Sequence, residues 1–462
     1  MQCKSRHSTP LTTIKRFYFI YFVGMRLMIP LCLVIMLFAA CRKDEPIDVE
    51  DFQGVIFSIQ PDAGKRGDTV SISGIGFGSD LSILKAYVNG KRATIIFAND
   101  TIVRIVVPPR AGTGPVSVAG LSGGASGPIF HFTYTASVST YAGIPGTPGM
   151  VDGAGLQSKF NFPAGIVSDS LGNLMVADRM NHVIRRISPG GSVVTLAGTG
   201  SPGHLDGSAN TAQFNQPTGV TFNPFTKEVY VADRNNHCIR KVTSNGIVST
   251  VAGIPGIVGF VDGPGLSCRL NEPAAVAFEP NFSNLYIAEV GNHCIRKLSQ
   301  FQVVSTFAGS AVSGNADGVG ASASFNTPYA LALDSTFNLM VSDSANHNIR
   351  RVRLMDATVT TLTGTGIAGF ANGLSPTYNA PTGMAWLQGK LLVADANNHA
   401  IRLVFPDGSA ELLAGNGVPG FQDGIGNIAK FNIPFSIVSG LLEGEFFVTD
   451  SGNHCIRRLM VE

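Results

Sequence analysis

Beyond the N-terminal apolar stretch, apolar and polar residues alternate in short runs. Thr69-Val70-Ser71-Ile72-Ser73 and Thr101-Ile102-Val103-Arg104-Ile105-Val106-Val107 show the pattern, and Gly, Pro, Asn and Asp interrupt it throughout. A period of two places successive side chains on opposite faces of a strand, and the interrupting residues supply turns. No stretch repeats with the period of a helix. The pattern predicts an all-β chain.

In residues 55–135 the runs are separated by Pro61, Gly64, Gly67, Gly74 and Gly78, by the hairpin pair Asn89-Gly90, and by Pro108-Pro109. Asn-Gly tolerates the positive φ that a tight hairpin demands. This grammar predicts a small β-sandwich. The succession Pro61, Gly64, Gly67, Val70, Ile72, Gly74, Phe77, then Val88-Asn89-Gly90 and Val107-Pro108, is similar to the IPT/TIG family of immunoglobulin-like domains. The resemblance implies a spacer.

From residue 136 to 462 one block recurs six times. Its acidic residue is Asp178, Asp233, Glu289, Asp343, Asp395 or Asp450. Its histidine is His182, His237, His293, His347, His399 or His454, and its arginine Arg185, Arg240, Arg296, Arg350, Arg402 or Arg457. The acidic positions lie 52 to 56 residues apart. A Phe-Asn-x-Pro-like element and a Val-x-Thr-x-Ala-Gly-like strand share the period. Each period therefore reads as four short strands, the grammar of a propeller blade. The block Asp-x-x-Asn-His-x-Ile-Arg resembles NHL repeats, which implies six blades. A fourth-strand element, Val138–Gly143, precedes the first full repeat, and the last repeat lacks one. The expected fold is an immunoglobulin-like β-sandwich followed by a six-bladed β-propeller closed by its N-terminal strand, which removes an exposed edge.

The N-terminus changes the expected location. Leu27–Ala40 is apolar, follows Arg26 and ends in Ala39-Ala40, as a signal peptide does. Leu37-Phe38-Ala39-Ala40-Cys41 resembles a bacterial lipobox, which implies lipid attachment at Cys41. Arg42-Lys43-Asp44-Glu45 resembles the sorting signal of lipoproteins exposed on the outer membrane. Residues 1–40 then form a signal peptide, with Met25 as an alternative start, and residues 41–54 a linker. The membrane would be met only through the lipid.

Charge narrows the partners. The whole chain carries 33 basic and 31 acidic residues, but residues 1–40 hold five basic and no acidic ones, leaving 28 against 31. A slightly acidic mature chain has no electrostatic footprint for nucleic acid. Cys238, Cys294 and Cys455 each follow an Asn-His pair in a different repeat, which predicts buried thiols rather than disulfides.

A catalytic site is needed once, so polar residues repeated six times read as structural: turn-forming Asp and Asn, and an arginine paired with an acid while burying its stem. No metal and no cofactor are expected. Binding residues are sought among positions that vary from blade to blade. On the face that carries the Asn-His turns, the long links place Met150, His204, Phe260, Phe370 and Phe421, and Tyr329 and Phe435 follow the motif prolines near the central mouth. Sugars or a peptide could stack there. The leading expectation is a monomeric, non-enzymatic binding module for a polysaccharide or a protein. The alternative is a lactonase- or lyase-like propeller hydrolase with a metal in its channel, although the inner strands, such as Ala275-Val-Ala-Phe278, are apolar.

Overall fold

The computed structural model describes residues 54–120 and 123–462. The apolar stretch, Cys41 and the linker as far as residue 53 lie outside them. Among the described residues no helix is long and apolar enough to cross a membrane.

The protein is all-β. The N-terminal part consists of β1 (Val55–Gln60), β2 (Ala63–Gly64), β3 (Thr69–Ile75), β4 (Lys85–Val88), β5 (Lys91–Ala98), β6 (Ile102–Val106), β7 (Gly114–Ala119) and β8 (Gly124–Phe132). The alternation is read out as expected: Val70 and Ile72 of β3 and Val103 and Ile105 of β6 are fully buried. The layering differs from two separate sheets. The strands form one nearly closed sheet in the order β1-β3-β6-β5-β4-β7-β8-β2. β5 is the corner: it pairs with both β4 and β6, and its register with β6 shifts between Ile95 and Phe97. A bulge bends a strand enough to let it serve both layers.

Residues 163–461 form six antiparallel blades. The strand after each motif proline lies innermost, as in Pro273–Glu279, Asn284–Glu289, Cys294–Leu298 and Val303–Ala308 of the third blade. The sixth blade comprises Pro434–Ser439, Glu445–Asp450 and Cys455–Val461, and β9 (Ala136–Ala142) pairs antiparallel with the last of these. Small residues let the innermost strands of neighbouring blades crowd together. A Cβ on Gly383 would lie 2.4 Å from Ser436 Cα, and one on Gly165 2.4 Å from the Thr218 carbonyl oxygen.

One core runs from the N-terminal sheet into the propeller. Tyr134, Ala136 and Val138 join the buried cluster of β3 and β6 to Leu403, Phe446 and Leu459. Arg110 donates to the Glu443 side chain at 2.9 Å and to its carbonyl at 2.8 Å. Arg66 bonds Glu462.

Candidate functional site

The repeated polar residues form a lattice inside each blade. In the first blade Asp178 and Arg185 are fully buried, and Arg185 Nη1 donates to Asp178 Oδ2 at 2.8 Å. Asn181 donates to the same oxygen, and the Asn161 N–H donates to Oδ1. The second guanidinium nitrogen donates to Asp152 Oδ1 at 2.6 Å. Asp152 belongs to the Asp-Gly pair of the preceding link and also accepts from Thr195 of the outermost strand. The Phe160 ring lies 4.9 Å from the guanidinium carbon. The arginine thus ties the link, the second strand and, through Asp152, the outermost strand together.

The other blades repeat this unit through Asp233–Arg240, Glu289–Arg296, Asp343–Arg350, Asp395–Arg402 and Asp450–Arg457. In the sixth, Asp423 accepts from Thr140 of β9. The fifth departs in a matched way: Asn372 replaces the link acid, and Leu412 stands where the others place a threonine. Burial pushes the Asp178, Asp233, Asp343 and Asp450 carboxyls up to about 6, and the guanidinium and amide donors pull against it.

The histidines do a different job. Each sits in the left-handed region, at φ 50 to 56, closing the turn after the acid. Its Nδ1 accepts the backbone N–H of the residue before the proline in the next blade. His182 receives Gln216, His237 Glu272, His293 Thr327, His347 Ala380, His399 Ile433 and His454 Phe162, at 3.1 to 3.2 Å. The donating residues also have positive φ. The six bonds stitch blade to blade around the ring through Nδ1 of each imidazole. Burial pulls the His182, His237, His347, His399 and His454 imidazoles below their ordinary value.

The non-repeating candidates divide into two groups. Phe260, Phe370 and Phe421 lie on the arginines of their blades, with ring centroids 5.0, 5.2 and 4.6 Å from Arg296, Arg402 and Arg457. Each gives one side of its ring to packing and keeps about 40% of its surface exposed. Met150 and His204 are exposed on the links of the first two blades. Tyr329 and Phe435, by contrast, meet at the central mouth, with centroids 5.2 Å apart and planes nearly perpendicular. Phe435 is only 9% exposed, so Tyr329 presents the accessible ring.

Sequence reasoning missed the charges at this mouth. Arg234 donates to the Tyr329 hydroxyl at 2.8 Å and to Glu272 at 2.7 Å. Arg179, at the matching position of the first blade, donates to Gln216 Oε1 at 3.0 Å and has no carboxylate within ion-pair distance among the described residues. The signal was present: the residue after the repeated acid is Arg in two blades and Val290, Ser344, Ala396 and Ser451 in the others. Below the mouth lies a cavity of about 200 Å³, lined by apolar, glycine and hydroxyl residues such as Thr218, Ala274, Met384 and Ser436. Among the described residues no group of three His, Cys, Asp or Glu is arranged to hold a metal ion. Cys238, Cys268, Cys294 and Cys455 are free and buried.

Comparison with known proteins identifies the building blocks. Residues 55–134 match the IPT/TIG domain, and residues 214–242 match the NHL repeat. The chain carries an IPT/TIG domain and an NHL-type propeller. It is 43% identical over 342 residues to NHL repeat-containing protein 2 of Gallus gallus, across 65% of this chain and 46% of that protein. It is 31% identical over 289 residues to Protein SUPPRESSOR OF QUENCHING 1, chloroplastic, of Arabidopsis thaliana, across 57% of this chain and 26% of that protein. The chain therefore spans less than half the length of these relatives. An auxiliary nutrient binding protein from Bacteroides thetaiotaomicron shares the fold, with a TM-score of 0.56, 17% identity, and coverage of 89% of this chain and 99% of its own.

Proposed function

We propose that this chain is a non-enzymatic binding module that takes a polysaccharide or a protein partner at the propeller mouth. The observation that carries the reading is the cluster of Arg179, Arg234, Glu272, Tyr329 and Phe435. These residues break the sixfold repeat at one place, while the repeated residues are engaged in blade structure. Arg179 leaves the cluster with one positive charge in excess, which favours a ligand with a carboxylate or another acidic group. The same-fold nutrient binding protein supports a binding role by analogy.

The location follows the sequence. Lipidation at Cys41 would hold the chain on the outer membrane, probe outward, with the IPT/TIG domain as spacer and residues 136–462 as the propeller. The pairing of β9 with Cys455–Val461 supports closure of the ring by the N-terminal strand.

A glycan array probed with the soluble chain tests the ligand reading. Acidic glycans should be retained by the wild type and lost by Arg179→Ala and Tyr329→Ala. Turnover of a lactone or ester panel by the same protein would establish the hydrolase alternative instead. Membrane extraction and mass analysis test the anchor: Cys41→Ala should abolish lipid attachment and release or mislocalise the protein, and a variant that still partitions with membranes while the wild type carries no lipid would contradict it.

A further inference from the structure

The face opposite the Asn-His turns holds a cleft between the third and fourth blades, with a volume of about 510 Å³. That is within the range of small-molecule sites, about 300–1,000 Å³. Its rim is apolar and open to water: Phe282 is 63% exposed, Phe301 79%, Phe337 43% and Met355 84%. Four large apolar side chains held around one concavity are a costly arrangement for a surface with no partner.

At the floor stands Glu279, only 3% exposed. Its place in the repeat is informative. At the matching position the first, second and fourth blades have Asp169, Asn223 and Asp334, and each accepts backbone N–H groups of its own turn. Glu279 accepts none of these. Its Oε2 accepts from Asn284 at 2.8 Å and from the Tyr286 hydroxyl at 3.4 Å, and its Oε1 has no hydrogen-bond partner among the described residues. The cation facing the cleft is also unmatched. In the second and sixth blades the corresponding Lys241 and Arg458 pair with Glu228 and Glu445. In the first, third and fourth blades Asn173, Asn284 and Asn338 replace that acid, and Arg186, Lys297 and Arg351 make no ion pair within 4 Å among the described residues; of these, Lys297 lines the cleft.

We propose that this cleft is a second binding site, separate from the mouth, for a neutral sugar. One carboxylate and one ammonium cancel, so the floor selects no net charge. Glu279 Oε1 accepts a ligand hydroxyl and Lys297 donates to another. The exposed rings receive the apolar C–H face of a pyranose, the same division of labour seen wherever a ring has one greasy face and a polar rim.

Titration calorimetry of the full chain with D-glucose, D-galactose, maltose and cellobiose tests this. At least one should bind saturably, and Phe301→Ala should weaken it by about tenfold. Phe301 is so exposed that its removal leaves folding intact, which makes it the deciding variant. Glu279→Gln should weaken binding as well, checked against its own thermal melt. Tyr329→Ala should leave this binding unchanged, so failure here is separable from failure at the mouth. No saturable binding by any of the four sugars, binding that survives Phe301→Ala, or preference for an aromatic amino acid over all four would overturn the proposal.

Discussion

The two faces of the propeller are built by the same six repeats and use their side chains in opposite ways. On the Asn-His face the repeated acids, the two terminal nitrogens of each buried arginine and Nδ1 of each histidine are engaged in holding links, strands and blades together. Even Phe260, Phe370 and Phe421 spend a ring face on an arginine. On the opposite face the turns are short and the repeat is loose, so Phe282, Phe301 and Met355 stand exposed around a cleft. Strict repetition therefore marks what holds the ring together, and the sites proposed for ligands are built from residues that depart from it. The mouth and the cleft each hold departures from the repeat.

The largest effect should come from the ring itself. Removing residues 136–143 takes away the strand paired with Cys455–Val461 and the Thr140–Asp423 bond, and exposes an edge. Calorimetric unfolding should move to a much lower temperature than after removal of the IPT/TIG domain alone. An unchanged transition would refute closure by this strand.

Next in size is a single lattice arginine. Arg350→Ala leaves Asp343 buried and uncompensated, at a cost of about 3–5 kcal/mol. Phe301→Ala on the opposite face should change stability by no more than about 0.5 kcal/mol. Denaturant titration of both variants measures the contrast directly, and equal losses would erase the distinction between the faces.

The histidine stitch is smaller and depends on pH. Glycine accepts φ 54, so His347→Gly removes the acceptor without backbone strain and leaves the Ala380 N–H unpaired, at a cost of about 1–2 kcal/mol near pH 7.5. The folded imidazole is held below its ordinary value of 6.5, so the unfolded chain binds the proton more readily. The contribution is complete above that pH and is lost as the pH falls below it. The stability gap between wild type and variant should shrink from pH 7.5 to pH 5. A gap that widens would mean that the histidine acts as a cation.

Much of this was legible in the sequence because repetition and alternation are one-dimensional signals. Six spaced acids announced six blades, and a structural arginine partnered with an acid followed from position alone. The histidine bonds were not legible, because each joins residues 33 to 35 apart, or 292 apart at the closing blade, through a turn conformation that no local pattern encodes. The sandwich was drawn too cleanly because a bulge in β5 merges its layers. Arg179 and Arg234 follow the repeated acid in two blades only, and their place at the central mouth depends on contacts between blades that local sequence does not encode. Phe435 was expected to offer stacking area, and Tyr329 covers it.

The most direct test of the account pairs thermal unfolding with binding in one variant, Arg234→Ala. It removes a residue that breaks the repeat and touches Tyr329 and Glu272 but no lattice arginine. The expected result is a melting temperature close to wild type and an affinity for the ligand retained on the glycan array weakened by about 1–3 kcal/mol. Unfolding at a much lower temperature with affinity unchanged would contradict the claim that the mouth is a binding site and would place Arg234 with the structural lattice.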